Sequence, residues 1–247
     1  MTFPVPLQQS LSKLSRVIDS LIPRHCLFCL EQTSGNNDLC PHCRTHIQHN
    51  KLACQRCALP LSTSDSSICG NCLSHQYYYN QVYSPFIYTD AIRYLIRQLK
   101  YHNKIHYAQT LARLFIQSST QFQDFQLPEV LIPMPMHTQR LQQRGYNQAL
   151  ELARFFAAHF QLQLDYKSLL RTRPTLLQAG LNAKERQKNV KNAFNINKHA
   201  HISRLSGIQH IALIDDVMTT GSTLNEAAKI LRQSGIKRVD AWIIARA

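Results

Sequence analysis

The stretch from Ile211 to Thr223, IALIDDVMTTGST, constrains the fold more than any other part of the chain. Ile211, Ala212, Leu213 and Ile214 form the short apolar run that a strand buried in a parallel sheet requires. Asp215 and Asp216 follow, then Val217, Met218 and five small residues, Thr219, Thr220, Gly221, Ser222 and Thr223. From Leu224 the apolar spacing (Leu224, Ala227, Ala228, Leu231) is helical, so the loop opens a helix. Such a loop brings backbone N–H groups, hydroxyls and the positive end of a helix dipole to one point, which suits a phosphate. Gly221 lets the backbone approach an anion or take positive φ, and Ser222 or Thr223 is placed to cap the helix. Two carboxylates would repel a bare phosphate, but they accept hydrogen bonds from the vicinal hydroxyls of a ribose whose 5′-phosphate fills the loop. A plain strand, turn and capped helix explains either half alone. The two halves together, at the carboxyl edge of a sheet, point to a polar ligand.

The run resembles the signature of the type I phosphoribosyltransferases, an apolar strand, two acids and a Thr/Gly/Ser loop that bind phosphoribosyl pyrophosphate (PRPP). The resemblance implies that Asp215 and Asp216 hold the ribose and that Met218, Thr219, Thr220, Gly221, Ser222 and Thr223 surround the 5′-phosphate, with Mg²⁺ accompanying the pyrophosphate. The GxxxxGK[ST] pattern of a Walker loop does not occur.

All eight cysteines lie in CxxC pairs in the first third of the chain: Cys26 and Cys29, Cys40 and Cys43, Cys54 and Cys57, Cys69 and Cys72. Each pair can form a knuckle aimed at one metal, and two knuckles supply the four soft ligands that tetrahedral Zn²⁺ prefers. Turn formers such as Gly35, Asn36, Asn37 and Pro60 fill the intervals, so metal binding would supply the folding energy that a sparse core cannot. Sequential pairing gives two structural zinc ions; a crossed arrangement of the pairs stays open on spacing. A disulfide framework belongs to short secreted chains and is not expected here.

The formal net charge is +14, and residues 81 to 247 carry twenty-two Lys and Arg against ten Asp and Glu. Two zinc-thiolate sites of about −2 each would leave the chain strongly basic, so phosphates are the expected partners, as a polyphosphate ligand or as nucleic acid. The longest apolar runs fall far short of a membrane span, and the N-terminus lacks the order of a signal peptide, so a cytoplasmic location is expected, or a peripheral one at the inner membrane through partner proteins.

Leu7, Leu11, Leu14, Val17, Ile18 and Leu21 share one helical face, which predicts an amphipathic helix within residues 1–24, packed on its own protein or on a partner. The aromatic stretch Tyr77, Tyr78, Tyr79, Tyr83, Phe86 and Tyr88 reads as core or hairpin packing, or as a base-stacking surface. A helix from Thr89 and Asp90 carries Ile92, Leu95, Ile96 and Leu99 on one face and Arg93, Arg97, Lys100 and Lys104 on the other. That row is a candidate DNA contact or a solvated helix face. A second helix with Ala108, Leu111, Ala112 and Phe115 follows, then a polar loop over 117–126. Val130, Leu131 and Ile132 open the first strand of the α/β domain, ending in Pro133-Met134-Pro135-Met136.

Next come Arg140, Arg144 and Asn147 in RLQQRGYNQALELA, donors around a helix start where a second anionic group can bind. The stretch IPMPMHTQRLQQRGYNQA, together with the cysteine module and DDVMTTGST, is similar to the ComF family (ComFC and GntX-like proteins), which joins a double zinc ribbon to a phosphoribosyltransferase domain and is associated with DNA uptake in natural competence. The resemblance places Met134, Pro135, Arg140, Arg144 and Asn147 on the pyrophosphate side. It also makes residues 171–194 a mobile lid in which Gln178, Leu181, Arg186, Asn189 and Phe194 match the family pattern. Between Arg171 and Arg204 eight basic residues stand against the single acid Glu185, as charge on a leaving pyrophosphate would require; a basic, exposed helix and turn is the plainer alternative.

The expected architecture is therefore an amphipathic helix (1–24), a double zinc ribbon (25–75) and a three-layer, mostly parallel type I phosphoribosyltransferase-like α/β domain (76–247). The expected function is PRPP or ribose phosphate binding in the handling of single-stranded DNA. The alternatives are an active transferase with an unidentified acceptor and a non-catalytic zinc and nucleic-acid adaptor.

Overall fold

The computed structural model describes residues 24–33, 38–63, 66–102, 104–122, 124–174 and 183–247. The N-terminal helix, Gly35, Asn36, Asn37, Gln178 and Leu181 lie outside the described residues, as does the side chain of Arg186. The chain divides into two compact units, one ending at Ile47 and the other running from Gln48 to Ala247.

The first unit pairs β1 (Arg24–His25) with β2 (Gln32–Thr33) antiparallel and adds a one-turn helix, α1 (Pro41–Thr45), that starts at Cys40. Among its described residues, Leu39 and Ile47 are buried beside the cysteines, so cross-links through the cysteines hold this part together.

The second unit begins with its own pair of knuckles and the short helix α2 (Gly70–Ser74). There follow β3 (Val82–Tyr83), β4 (Phe86–Ile87), α3 (Asp90–Tyr101), α4 (His106–Ser119), β5 (Val130–Pro133), α5 (Thr138–Arg144), α6 (Gln148–Phe160), β6 (Gln163–Leu164) and β7 (Leu169–Arg171). The chain continues through α7 (Ala183–Val190), β8 (Phe194–Ile196), α8 (Lys198–Leu205), β9 (His210–Met218), α9 (Ser222–Gln233) and β10 (Arg238–Arg246). The main sheet has the order β3-β10-β9-β5-β6, with β4 also on β10, and every pair is parallel. β7 and β8 form a separate antiparallel pair.

Strand alternation gives the three layers. Ile211, Leu213, Val239, Ala241 and Ile243 pack with Leu224, Ala227 and Leu231 of α9. On the other face Trp242, fully buried, lies against Phe115 of α4 at 5.7 Å and Phe156 of α6 at 5.6 Å between ring centroids. The site is thus built on a sheet clamped from both sides.

Three expectations change in detail. The aromatic stretch packs in the core, with Tyr79, Tyr83 and Phe86 buried, but not as a hairpin: β3 and β4 add parallel to β10, ahead of Val130, and two-residue strands carry no period a sequence can show. α4 continues to Ser119, into the stretch expected as loop, because the Ser118 and Ser119 hydroxyls bond back to the carbonyls of Leu114 and Ile116. Finally, β9 does not end at Ile214 but carries both acids on to Met218, held by a nine-residue β10 beside it.

Removing the indole by Trp242→Ala is expected to cost about 3–5 kcal/mol of unfolding free energy, as large-to-small changes in packed cores do. Urea titration checks this; a loss under about 1 kcal/mol would mean the two helices hold the sheet without it.

Candidate functional site

Each unit holds one four-cysteine set. Cys26, Cys29, Cys40 and Cys43 converge in the first and Cys54, Cys57, Cys69 and Cys72 in the second, all sulfurs of a set within 4.8 Å of one another. Cys29 and Cys40 sulfurs are 3.7 Å apart and those of Cys57 and Cys69 are 3.6 Å apart. A tetrahedron with Zn–S of about 2.3 Å has edges of about 3.8 Å, so both sets fit zinc, and sequential pairing replaces the crossed alternative. Burial pushes the Cys54 thiol up, but the N–H groups of Cys69, Cys57 and Arg56 outweigh it and bring the thiol down to about 7, toward the thiolate a metal needs.

A second site opens at the carboxyl ends of β5 and β9, a cavity of about 390 Å³. Asp215, Asp216, Met218, Thr219, Thr220, Gly221 and Thr223 line one side, and Met134, Pro135, Arg140 and Asn147 another. Gly221 has φ +77° and starts α9, with no side-chain cap. Neither Ser222 nor Thr223 takes the capping role expected of it, since the Ser222 hydroxyl pairs with that of Thr220 at 3.0 Å, off the cavity wall. The first turn of α9 sets N–H groups and the positive end of the helix dipole at the cavity, the arrangement an anion prefers, with the Ser222 N–H bonded to the Thr220 hydroxyl at 3.4 Å. The positive φ strains any L side chain at Gly221, and a Cβ there would also push the movable Met218 methyl carbon, 2.4 Å away, so the turn favours glycine.

The acids differ in setting. Asp216 is buried and its Oδ2 lies 2.7 Å from Lys100 Nζ. Burial pulls the Lys100 ammonium down, but Asp216, with help from Asp215, more than offsets this and holds it above its ordinary value. Burial and the neighbouring charge of Asp216 push Asp215 up to about 7, and its Oδ1 accepts from the Asp216 N–H at 2.9 Å.

Asn147 has both ends engaged: its amide donates to the Met134 carbonyl at 3.0 Å and its oxygen accepts from the Ala149 N–H, so it shapes the β5 loop and starts α6. Arg144 stays off the cavity wall, bonded to Gln148 at 2.8 Å and set over the Tyr101 ring at 5.6 Å. Of the lid positions, the Asn189 carbonyl accepts from Arg173 at 2.8 Å.

Four lining residues have other roles or none in the sequence reading: Tyr88 belongs there to the aromatic stretch, Lys100 to the basic row and Arg171 to the start of the lid, and Tyr101 has none. Lys100 leaves the basic row of α3 for the cavity. Its position next to Leu99 and four residues after Ile96, at the border of the buried face, is the signal that distinguishes it from Arg97. In the remaining row Arg97 is exposed and Arg93 pairs with Asp90 at 2.6 Å, whereas Lys104, expected in the same row, lies beyond the end of α3 and over Tyr107 at 5.7 Å. Lys100, Arg140 and Arg171 against two acids make the cavity net positive.

Comparison with known proteins agrees with this plan. A family model described as a double zinc ribbon domain matches residues 17–73. Competence protein F of Haemophilus influenzae is 33% identical over 226 residues, covering 90% of this chain and 96% of that protein. The chain belongs to the ComF family. DNA utilization protein YhgH of Escherichia coli K12 is 30% identical over 229 residues, 91% of this chain and 98% of its own. Competence protein ComFC of Streptococcus pneumoniae is 26% identical over 94% of this chain and 91% of its own. ComF membership and the double zinc ribbon make the two cysteine sets structural zinc sites. Among the described residues no helix is long and apolar enough to cross a membrane.

Native mass spectrometry of the purified chain is expected to show two zinc ions per chain, and one after Cys29→Ser. A single ion in the unmodified protein would contradict one of the two sets.

Proposed function

We propose that the cavity binds PRPP or a closely related ribose phosphate, and that the protein uses this site in handling single-stranded DNA during natural transformation. The observation that carries the first part is the juxtaposition, in one net-positive cavity, of two strand-end carboxylates with a helix N-terminus started by a glycine. Ribose hydroxyls would donate to Asp215 and Asp216, the 5′-phosphate would accept from the loop 219–223, and the pyrophosphate would face Arg140, Arg171 and the Met134-Pro135 turn. Mg²⁺ would enter with the pyrophosphate, since the site offers two carboxylates and one is already paired with Lys100. The relatives named for competence and DNA utilization support the second part, as does the basic excess of the α/β domain.

One observation favours turnover as a second reading. Tyr88 and Tyr101 line the cavity beside the acids, leaving aromatic walls for an acceptor. In a transfer, an acceptor nitrogen forms a bond to the anomeric carbon, the bond from that carbon to the pyrophosphate oxygen breaks with its electron pair leaving on pyrophosphate, and the acceptor's proton passes to solvent. Release of pyrophosphate over a panel of nitrogen bases tests this; none released with PRPP bound would leave a binding protein.

Calorimetry with PRPP and Mg²⁺ is expected to give saturable binding. Asp216→Ala should weaken it about ten- to a hundredfold, the worth of one or two hydrogen bonds to a charged group. No heat from the unmodified protein would remove the proposal. Because Asp215 is pushed up to about 7 and the ligand favours its ionised form, affinity should rise from pH 6 to pH 8 and level off, and Asp215→Asn should flatten that profile. For DNA, Arg93→Glu with Arg97→Glu should weaken binding of an oligothymidine and flatten its salt dependence by about 0.7 per lost phosphate contact while PRPP binding stays unchanged. Unaltered DNA affinity would make α3 a solvated face.

A further inference from the structure

The second four-cysteine set is built into the α/β unit, bonded to β3 through the Val82 N–H on the Arg56 carbonyl at 3.0 Å and to β10 through Arg246. Arg246, the last residue of β10, is buried. Its Nε donates to the Cys57 carbonyl at 3.1 Å, inside the second zinc knuckle, and its Nη1 donates to the Met218 carbonyl at 3.0 Å, where β9 gives way to the loop. One rigid guanidinium thus spans the metal site and the root of the loop, a task its planar fork suits and an ammonium does not. Its Nη1 also donates to the oxygen of Ala247, so three backbone oxygens hold the guanidinium, and among the described residues no side-chain carboxylate pairs with it. Four thiolates around Zn²⁺ carry about −2, so the loaded knuckle adds negative charge beside a buried cation.

Other contacts run the same way. Tyr79 is buried between the knuckle and the loop: its hydroxyl, which has no hydrogen-bond partner among the described residues, would lie 3.4 Å from a Cβ on Gly221, and its ring stacks on Tyr77 at 5.0 Å. The Arg56 guanidinium, in the first knuckle loop, donates to the Tyr77 carbonyl at 3.2 Å. The Tyr78 N–H donates to Asn225 Oδ1 at 2.7 Å, on the first turn of α9. Knuckle, tyrosine segment and loop helix are tied at three points.

We propose that the second zinc site anchors the phosphate loop and that Arg246 is the positioning residue that joins them, while the first zinc site, in the separate N-terminal unit, does not share this role. The proposal rests on reading the loop 219–223 as the phosphate site.

Two protected amides report on the loop in the ligand-free protein: Asn225, which donates to the Gly221 carbonyl at 2.8 Å, and Ala247, which donates to the Met218 carbonyl at 3.0 Å. In full-length Cys57→Ser, expected to bind one zinc fewer, hydrogen exchange at both should quicken at least tenfold. Cys29→Ser should also bind one zinc fewer yet keep both amides at their original rate. Arg246→Met should keep both zinc ions, quicken the same amides and weaken ribose 5-phosphate at least fivefold, so the test stands even if Cys57→Ser fails to fold. Unchanged exchange in Arg246→Met would overturn the proposal, as would equal acceleration in Cys29→Ser and Cys57→Ser. If the unmodified protein ignores ribose 5-phosphate while these exchange results hold, the ligand assignment fails and the anchoring remains.

Discussion

The parallel pairing of β9 with β10 is the constraint on which the rest of the α/β unit depends. It runs from His210 beside Arg238 to Met218 beside Arg246, and both strands are buried along nearly their whole length. Because the ladder continues past the apolar run, it carries Asp215 and Asp216 out to the sheet's edge on a rigid strand rather than on a loop, with Asp215 in register with Ile243. Carboxylates held this way lose little freedom on meeting a ligand, so more of each hydrogen bond's energy goes into affinity. The same ladder brings Arg246 to Met218, and so ties the loop that follows to a zinc knuckle more than 150 residues earlier in the chain.

Charge balance in the cavity follows from what the sheet edge leaves buried. Lys100 pairs with Asp216, while burial and the neighbouring charge of Asp216 push Asp215 up to about 7. One carboxylate is held by an ion pair, and the other is left to the ligand. A ligand that brings hydroxyls and a divalent cation would settle the second.

Much of this was legible in the chain itself. Eight cysteines at metal-ligand spacing and IDDVMTTGST carry local chemistry, and local chemistry survives in a linear pattern: the zinc sets, the strand, the glycine turn and the loop helix are all where the residues indicate. What the sequence concealed depends on distant partners. β3 and β4 are strands only because β10 lies beside them, and Lys100 has the spacing of a surface row until α3 is laid over the sheet edge, where the position borders the buried face. Arg171 and Arg246 look like two more cations in a basic chain; burial alone separates them from the rest. Ser222 and Thr223 have the composition of helix caps, but the Thr220 hydroxyl engages Ser222 first and leaves the cap to the glycine.

The most direct test is an amide chemical-shift titration of the ¹⁵N-labelled zinc-loaded protein with PRPP and Mg²⁺. A ribose phosphate seated at the edge of β9 should move the amides of Asp215 to Leu224 saturably and together, with smaller shifts at Arg140 and Arg171. Saturable shifts confined to other surfaces, or none at all, would contradict the assignment of this cavity.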